Sequence, residues 1–391
     1  MTVNETVGDA AARAAERAVA IRHHLHQNPE LSDCEEQTSA LVAARLEELG
    51  AVRIRTRVGG WGVTGEIDGA AAGPTFALRA DMDALPIQEA SDLQYRSRRE
   101  GIMHACGHDG HTAVLLGAAE VLTKHRDRFN GTIRLIFQPA EETVGGAERM
   151  CRDGAMEGVA SIVALHGWPG LDVGKIAVRH GPMMASSDTF DITVNGTGAH
   201  AAMPHASIDP ILVGAHIVTG LQSLASREIS PVEPVVVTVS KFHAGTAYNI
   251  IPSTASIGGT VRCLDEALRR SMPEKVERLA SSIAAAFRAT VAFTYRFGTG
   301  VTVNDKGVTD LIRSSAGRLL GAASVVELPN PSMGAEDFAK YLDLAPGAMF
   351  RLGVGADVTN LHTPQYNFSD AAVPVGIELL STMALDYFAR S

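Results

Sequence analysis

The chain has 391 residues, of which 46% are hydrophobic and 20% are charged, so its composition is that of a globular protein rather than a disordered or coiled-coil one. This length exceeds the usual size of one hydrophobic core and favours two domains. The formal net charge of -10 and the lack of a basic stripe argue against nucleic acid or an anionic membrane as a partner.

The cysteines and the first residues indicate the compartment. The four cysteines, at positions 34, 106, 151 and 263, have no regular spacing, which favours a reducing compartment over a disulfide scaffold. Residues 1–9 contain neither a basic nor an apolar segment of a secretory signal, and no uninterrupted apolar run reaches about 18 residues. We therefore predict a cytoplasmic protein.

The first predicted elements are two helices and a buried strand. Apolar residues recur at helical spacing over residues 9–29, and a second helix is predicted from Ser32 to Leu49. The apolar strand Thr75 to Pro86 then ends in acidic side chains. Because open α/β sheets place their chemistry at the carboxyl ends of strands, this end is a candidate part of a site.

Residues 104–112, with the sequence HACGHDGHT, hold three imidazoles, a thiol and a carboxylate between small residues. Thiolates and neutral imidazoles are suitable ligands for zinc, cobalt, nickel or manganese. The apolar run 113–119 follows at once and predicts a helix, so the cluster is expected on a loop that leads into a helix. We interpret it as a metal-binding segment, with packed or solvated His and Cys side chains as the alternative.

Two further strands are predicted to end in ligand-type side chains. The apolar run 131–142 ends in the adjacent acids Glu141 and Glu142, and the run 161–169 contains His166. Adjacent carboxylates repel each other, a conflict that is relieved if one binds a metal and the other faces an activated water. The three strand ends therefore form one predicted constellation.

From residue 187 the pattern becomes strand, helix, strand, strand, helix, strand, which is the order of the split βαβ, or ferredoxin-like, unit. We predict an α/β protein in which residues 1–186 and 299–391 form one discontinuous domain that contains the metal-binding segment. Residues 187–298 are expected to form an inserted α+β domain. After it, the chain returns through a strand over residues 348–353, then His362 and a terminal helix.

Six ordered motifs resemble those of peptidase family M20, and within it the amidohydrolase branch that includes hippurate hydrolases and hydrolases of auxin–amino acid conjugates. The motifs are RADMDALP (79–86), HACGHDGH (104–111), QPAEE (138–142), GAHAAMPH (198–205), GAEDF (334–338) and LH (361–362). The resemblance implies that residues 1–186 and 299–391 form a metallopeptidase-like catalytic domain with a mixed central sheet. It also implies an inserted domain that acts as a lid or in dimerisation.

The resemblance also implies a site for two divalent ions, of Zn, Mn, Co or Ni, in which one thiolate bridges and each ion has two further ligands. The implied ligands are Cys106 as the bridge, Glu142 and His362 on one ion, and His108 and His166 on the other. The wider family carries a histidine at the position of Arg79 and an aspartate at that of Cys106. This departure is typical of the amidohydrolase branch.

Two residues are predicted to take part in catalysis. A general base must take a proton from water and pass it to the leaving amine, and Glu141 is the predicted base; the alternative is an acid that only supports the ligands. His200 resembles the histidine that similar enzymes bring to the oxyanion by a closing motion of the inserted domain; the alternative is an ordinary turn histidine.

Four residues are predicted to support the substrate or the ligands. Asn249 and Arg262 resemble the oxyanion-side and substrate-carboxylate contacts of the family, and a guanidinium can bind both oxygens of a carboxylate. Asp81 and Asp109 are expected to orient ligands through hydrogen bonds rather than to bind metal.

The sequence therefore predicts a metal-dependent amidohydrolase that cleaves an N-acyl amino acid, a small molecule, into a carboxylic acid and a free amino acid. The alternatives are a dipeptidase or carboxypeptidase of the same fold and a non-catalytic metal-binding protein, against which the presence of Glu141 argues. A homodimer or homotetramer through the inserted domain is also expected from the resemblance.

Overall fold

The computed structural model describes residues 5–143 and 145–390. Within them the α-helices are α1 (Val7–Gln27), α2 (Glu36–Glu48), α3 (His108–Lys124), α4 (Gly146–Arg152), α5 (Pro210–Ser223), α6 (Glu266–Ala286), α7 (Lys306–Leu320), α8 (Ala339–Leu342) and α9 (Ala372–Arg390). The strands are β1 (Val52–Val58), β2 (Gly62–Asp68), β3 (Thr75–Asp81), β4 (Thr132–Gln138), β5 (Val159–Pro169), β6 (Ile176–Val178), β7 (Gly181–Met184), β8 (Ser187–Asn195), β9 (Ala199–His200), β10 (Val235–Ala244), β11 (Ile250–Ile251), β12 (Thr254–Cys263), β13 (Thr290–Thr299), β14 (Thr302–Asn304), β15 (Val325–Glu327) and β16 (Gly347–Gly355).

The chain divides into two compact units. The first consists of Met1–Met183, Val303–Asn330 and Asp337–Ser391, and the second of Met184–Thr302 and Pro331–Glu336. In the second unit, the backbone N–H of Ala185 donates to the carbonyl oxygens of Ser332 and Gly334, at 3.0 and 2.9 Å. Because backbone hydrogen bonds of this kind do not depend on side chains, no sequence pattern indicates that segment 331–336 belongs with the second unit.

The first unit contains a mixed eight-stranded sheet in the order β1-β2-β4-β3-β5-β16-β6-β15. Its central strands β4, β3, β5 and β16 are parallel, whereas β2 pairs antiparallel to β4, and β6 pairs antiparallel to β16 but parallel to β15. Parallel strands are joined by crossovers that place helices on the faces of the sheet. The prediction of an α/β protein with a mixed central sheet is confirmed.

Helices α1, α3 and α9 pack against one another in the core of the first unit. Small residues allow this packing: a Cβ atom on Gly117 of α3 would lie 2.3 Å from Cδ1 of Ile377 in α9. Among the described residues, α9 is the helix long and apolar enough to cross a membrane by length and composition alone, and 56% of its most apolar window is buried. Its contacts with α1, α3 and α7 account for its apolar side chains.

The second unit contains a four-stranded antiparallel sheet in the order β10-β12-β8-β13, with α5 and α6 packed on one face. Strand β8 alternates, because Phe190, Ile192 and Val194 are buried while Asp191 and Thr193 are only partly so. This alternation is expected of a sheet with one covered face. The principal elements, β8, α5, β10, β12, α6 and β13, follow the predicted split βαβ order.

Candidate metal centre

The candidate site lies at the carboxyl ends of the central parallel strands. Strand β3 ends at Asp81, β4 is followed by Glu141 and Glu142, and His166 lies near the end of β5. Because β4, β3 and β5 are neighbours in one sheet, these ends lie side by side. This edge is where open α/β sheets commonly hold ligands.

The start of α3 and the loop before α9 supply the other side of the site. Gly107, between Cys106 and His108, has a φ of +91°, and a Cβ atom there would lie 2.8 Å from the hydroxyl oxygen of Tyr366. A larger side chain at this turn would therefore be strained and would also clash. The backbone N–H of His362 donates to the carbonyl oxygen of Ala105 at 2.8 Å, which attaches the late loop to the cluster.

The structure brings the five predicted ligands together in two trios that share Cys106. One potential ligand atom from each of Cys106, His108 and His166 lies within 4.8 Å of the others, and the same holds for Cys106, Glu142 and His362. The Sγ of Cys106 is 3.4 Å from Nε2 of His166, and Nε2 of His362 is 3.4 Å from Oε1 of Glu142. A bridging thiolate requires this kind of shared position.

Backbone carbonyls fix the orientation of two of the imidazoles. The Nδ1 of His166 donates to the carbonyl oxygen of Gly167 at 2.8 Å, and Nδ1 of His108 donates to that of Asp83 at 2.9 Å. Nδ1 therefore carries a proton in both rings, and Nε2 is directed away from these carbonyls. Metal-ligating histidines are commonly oriented in this way.

The donor atoms fit a divalent metal. Nε2 of His108 and Oε1 of Glu142 are buried and have no hydrogen-bond partner among the described residues. Such atoms are uncommon and need an explanation, and a cation between them provides one. Burial, together with the charges of Glu142 and Glu141, raises the pKa of Cys106 well above its usual value, so a thiolate at this position requires a nearby cation.

The two buried histidines differ in protonation when no metal is bound. Burial and the neighbouring His111 hold the pKa of His166 well below its usual value, so this ring is neutral. Burial also opposes protonation of His108, but the carboxylates of Asp81 and Asp83 outweigh it and raise the pKa of His108 to about 10. Binding of a cation by His108 would therefore release a proton.

Asp81 lies beside the ligands and connects them to the sheet. Nε2 of His111 accepts from the N–H of Gly167 at 2.7 Å, so Nδ1 of His111 carries the proton and donates to Asp81 Oδ1 at 2.6 Å. Arg79 Nη1 donates to Asp81 Oδ2 at 2.7 Å. Burial would raise the pKa of Asp81, but His108, His111 and Arg79 hold it well below its usual value, so it stays ionised.

Asp109 does not hold the position expected of it. Its Oδ2 accepts from Nε of Arg22 at 3.2 Å and from Nδ1 of His26 at 2.9 Å, so the hydrogen bonds of Asp109 connect α3 to α1 rather than to a predicted ligand. One residue along a helix turns the side chain by about 100°, which explains why the neighbour of His108 faces elsewhere.

Asp83 takes the orienting role instead. In addition to its carbonyl contact with His108, its Oδ1 lies 3.2 Å from Nδ1 of that ring, and its Oδ2 accepts from the backbone N–H of Glu142 at 3.0 Å. Asp83 is not among the residues predicted from the sequence. The available signal was its place two residues after Asp81, at the end of a buried strand.

Arg22 of α1 joins two segments that carry predicted ligands. Its side chain is fully buried and binds Asp109, which follows His108, and also Asp370 and Asn367 on the segment after His362. The Nη1–Oδ1 distance to Asp370 is 2.5 Å. A buried guanidinium with several charged partners fixes geometry as well as charge. Arg22 is not among the predicted residues, because the sequence of α1 has the pattern of an ordinary amphipathic helix.

The turn before the predicted base is held by Glu35. Ala140 has a φ of +51°, which is uncommon for a residue with a side chain, and its N–H donates to Oε1 of Glu35 at 2.7 Å. Burial raises the pKa of Glu35 to about 7. The turn presents Glu141 so that its carboxylate lies within 4.8 Å of ligand atoms of His108 and Glu142.

The other three predicted residues lie in the second unit. His200 and Asn249 line one open groove of about 960 Å³, and the N–H of Ala201 donates to the carbonyl oxygen of Asn249 at 3.0 Å. Both residues are exposed. Arg262 is partly buried on β12, and its Nη1 donates to the carbonyl oxygen of Met333 at 3.2 Å. The structure therefore brings His200 and Asn249 together, while Arg262 does not line their groove.

Comparison with known proteins gives consistent matches over most of the chain. An N-acetyl-L-cysteine deacetylase of Bacillus subtilis (strain 168) is 40% identical over 355 residues, which are 91% of this chain and 84% of the relative. Thermostable carboxypeptidase 2 of Saccharolobus solfataricus is 43% identical over 339 residues, or 86% of this chain and 85% of that protein.

A solved structure is also similar to this chain over most of its length. A Bacillus subtilis protein described as a dinuclear metal-binding peptidase from the M20 family is 35% identical, with a TM-score of 0.87 over 97% of this chain and 99% of that one. The model of peptidase family M20/M25/M40 matches residues 77–386. The resemblance inferred from the six motifs is confirmed, and the chain belongs to peptidase family M20/M25/M40.

Proposed function

We propose that the protein is a metal-dependent amidohydrolase that cleaves the amide bond of N-acyl amino acids and releases a carboxylic acid and a free amino acid. One observation carries this proposal: two trios of ligand atoms share Cys106, and the carboxylate of Glu141 lies beside them. The similarity to an N-acetyl-L-cysteine deacetylase supports the substrate class. The chain is accordingly a hydrolase of its family.

Two divalent ions, held by Cys106, Glu142 and His362 and by Cys106, His108 and His166, would lower the pKa of water and polarise the scissile carbonyl. Glu141 is buried, so its carboxylate is shielded from bulk solvent and can act on a water beside the ligands. In this proposal it accepts a proton from that water and transfers it to the leaving amine. Zn, Mn, Co and Ni are the proposed ions, because sulfur, imidazole and carboxylate donors suit them.

The second unit is proposed to act on the substrate side. We assign to His200 a contact with the oxyanion, to Asn249 a neighbouring contact, and to Arg262 the carboxylate of the amino acid. The inserted domain predicted over residues 187–298 would act as a lid or in assembly into a homodimer or homotetramer. Exposed apolar side chains on α5 and on the edge strand β10, among them Leu212 and Phe242, support an assembly role. We propose a cytoplasmic location.

A carboxypeptidase or dipeptidase activity is the second candidate, and the similarity to thermostable carboxypeptidase 2 favours it. The two activities differ in the acyl side of the substrate, because a dipeptide presents a free amine there and an N-acyl amino acid does not. A pocket for that amine would need an acidic partner for its charge.

The deciding experiment combines metal analysis with a substrate panel. Metal content per chain would be measured on the purified protein, and kcat/KM would be compared for N-acetyl and N-benzoyl amino acids and for dipeptides with the same C-terminal residue. We expect about two metal ions per chain and a preference of about tenfold or more for the acylated substrates. A preference for the dipeptides would establish the second candidate, and metal binding without any turnover would leave only a metal-binding protein.

A further inference from the structure

Arg351, on β16, is a partly buried cation without an internal counterion. Its Nε is buried and has no hydrogen-bond partner, and no ion pair among the described residues involves its guanidinium. Other buried arginines of the chain differ: Arg22 binds Asp109, Arg79 binds Asp81 and Arg269 binds Asp188. Arg351 therefore differs from these three arginines, each of which pairs with an aspartate.

The position of Arg351 relates it to the candidate metal centre. Strands β16 and β5 are parallel, and Arg351 pairs in register with His166, so the two side chains leave the sheet on the same face. The guanidinium carbon of Arg351 lies 3.5 Å from the centre of the Trp168 ring system. The ring of Trp168 is in turn 5.8 Å from that of His166. The ring of Trp168 thus lies between the guanidinium of Arg351 and the predicted ligand His166.

Burying a cation without a counterion costs free energy, so the position of the Arg351 guanidinium needs an explanation. Burial lowers the pKa of Arg351 to about 10, with no neighbouring acid acting against it, so the group still carries its charge at neutral pH. Stacking on Trp168 offsets part of the cost. It leaves the hydrogen-bonding edge of the guanidinium unused, and this edge matches the two oxygens of a carboxylate.

We propose that Arg351 and Trp168 form a subsite that binds a carboxylate group of the substrate, with Trp168 as its wall and the guanidinium as its anion-binding end. The subsite rests on the proposed amidohydrolase function and refines its specificity. Two sources of the carboxylate share this chemistry. One is a second acid on the acyl group, as in an N-succinyl amino acid, and the other is the carboxylate of the amino acid itself, in which case Arg351 takes the contact assigned above to Arg262.

Kinetic comparison of Arg351→Met and the wild type separates these sources. The first pair of substrates is an N-succinyl amino acid and its N-succinamoyl counterpart, which has a neutral amide in place of the acyl carboxylate. The second pair is an N-acetyl amino acid and its C-terminal amide. We expect Arg351→Met to lower the acid-to-amide ratio of kcat/KM by about tenfold or more in one pair, mainly through KM, and Arg351→Lys to restore part of it.

Arg57→Met is the matched control, because Arg57 is exposed and lies 3.3 Å over the ring of Trp61, the other tryptophan of the chain. It removes a similar stacked pair away from the candidate centre and should leave both ratios unchanged. Equal ratios in Arg351→Met and the wild type for both pairs would overturn the subsite.

A binding measurement keeps this test separate from the proposed function. If no acylated amino acid is hydrolysed, the proposed function fails, and the subsite is then tested by calorimetric titration of the metal-loaded protein with succinate and with N-acetylglycine. A dissociation constant raised about tenfold for one of them in Arg351→Met, but not in Arg57→Met, supports the subsite. Unchanged affinity for both carboxylates refutes it.

Discussion

Asp83 and His108 are joined twice, because Nδ1 of the imidazole lies 2.9 Å from the backbone carbonyl oxygen and 3.2 Å from the carboxylate of the same aspartate. The other carboxylate oxygen of Asp83 accepts from the backbone N–H of Glu142. One residue just after β3 therefore orients two predicted ligands that come from separate segments.

Replacing Asp83 should weaken metal binding without removing a ligand. In Asp83→Ala the carbonyl contact to His108 remains, but the carboxylate contacts to the ring and to the N–H of Glu142 are lost. We expect metal affinity to fall by about 10- to 100-fold, measured by competition with a chelator. Asp127→Ala, at an exposed position, is the control. Wild-type affinity in Asp83→Ala would show that the carbonyl alone orients the ring.

Glu141→Gln should separate catalysis from metal binding. The amide is close in shape to the carboxylate but cannot accept a proton, so we expect kcat to fall by about 10²- to 10⁴-fold while two ions per chain are retained. Glu142→Gln is the comparison, because loss of a ligand should lower the metal content. Undiminished turnover in Glu141→Gln would remove this residue from the mechanism.

Glu35 should make stability fall as pH rises. Its folded pKa of about 7 lies above the ordinary value of 4.5, so the folded state holds the proton more tightly than the unfolded state. The resulting stabilisation is complete below about pH 4.5 and is lost as pH rises to about 7, a change of about 3 kcal/mol at most. Glu35→Gln keeps an acceptor for Ala140 and should remove this dependence.

The measurement is urea unfolding of the metal-free protein across this pH window for wild type and Glu35→Gln. Glu36→Gln, one residue away and exposed, provides the control for a general change of charge. If the stability of wild type and of Glu35→Gln changed with pH in the same way, the raised pKa of Glu35 would not be the cause of the pH dependence.

Arg22→Met should destabilise the fold and the candidate centre together. Removing one partner of a buried charge pair leaves Asp109 without its main counterion, which typically costs about 3 to 5 kcal/mol. The segment after His362 would also lose its contacts through Asn367 and Asp370, so metal affinity should fall as well. Urea unfolding and metal titration measure the two effects.

Arg17→Met is the matched control for Arg22→Met. Arg17 lies on the same helix and pairs with Glu120, but its side chain is about half exposed. Exposed pairs contribute about 1 kcal/mol or less, so this variant should unfold and bind metal nearly as the wild type does. A similar loss in both variants would mean that the helix, rather than the buried network, is responsible.

The sequence predicted most elements with strong apolar periodicity, but it missed strand β2 and helix α7, and it erred where local contacts set a boundary. Helix α2 was expected from Ser32, but it begins at Glu36 because the carboxylate of Glu30 accepts from the N–H groups of Gln37 and Thr38 and so fixes the first turn. Strand β1 was not predicted, because it is a largely exposed edge strand with arginines at alternate positions.

The ligand types could be read from the sequence because they cluster in short motifs, whereas their supports could not. The hydrogen bond between Asp83 and Glu142 spans 59 residues of sequence, that between Glu35 and Ala140 spans 105, and that between Arg22 and Asp109 spans 87. No local pattern encodes such pairings, since they depend on which segments the sheet and helices bring together.

The interruption of the first unit by the second affects how the proposed centre is assembled during synthesis. Four of its donors are translated by residue 166, whereas the fifth, His362, follows only after the whole inserted segment. At roughly 5 to 20 residues per second, this delay lasts on the order of 10 to 40 s. Throughout that interval the nascent chain has the Cys106 thiol but lacks one of the five metal donors. The complete site would therefore have to acquire or exchange its ions after His362 has been added.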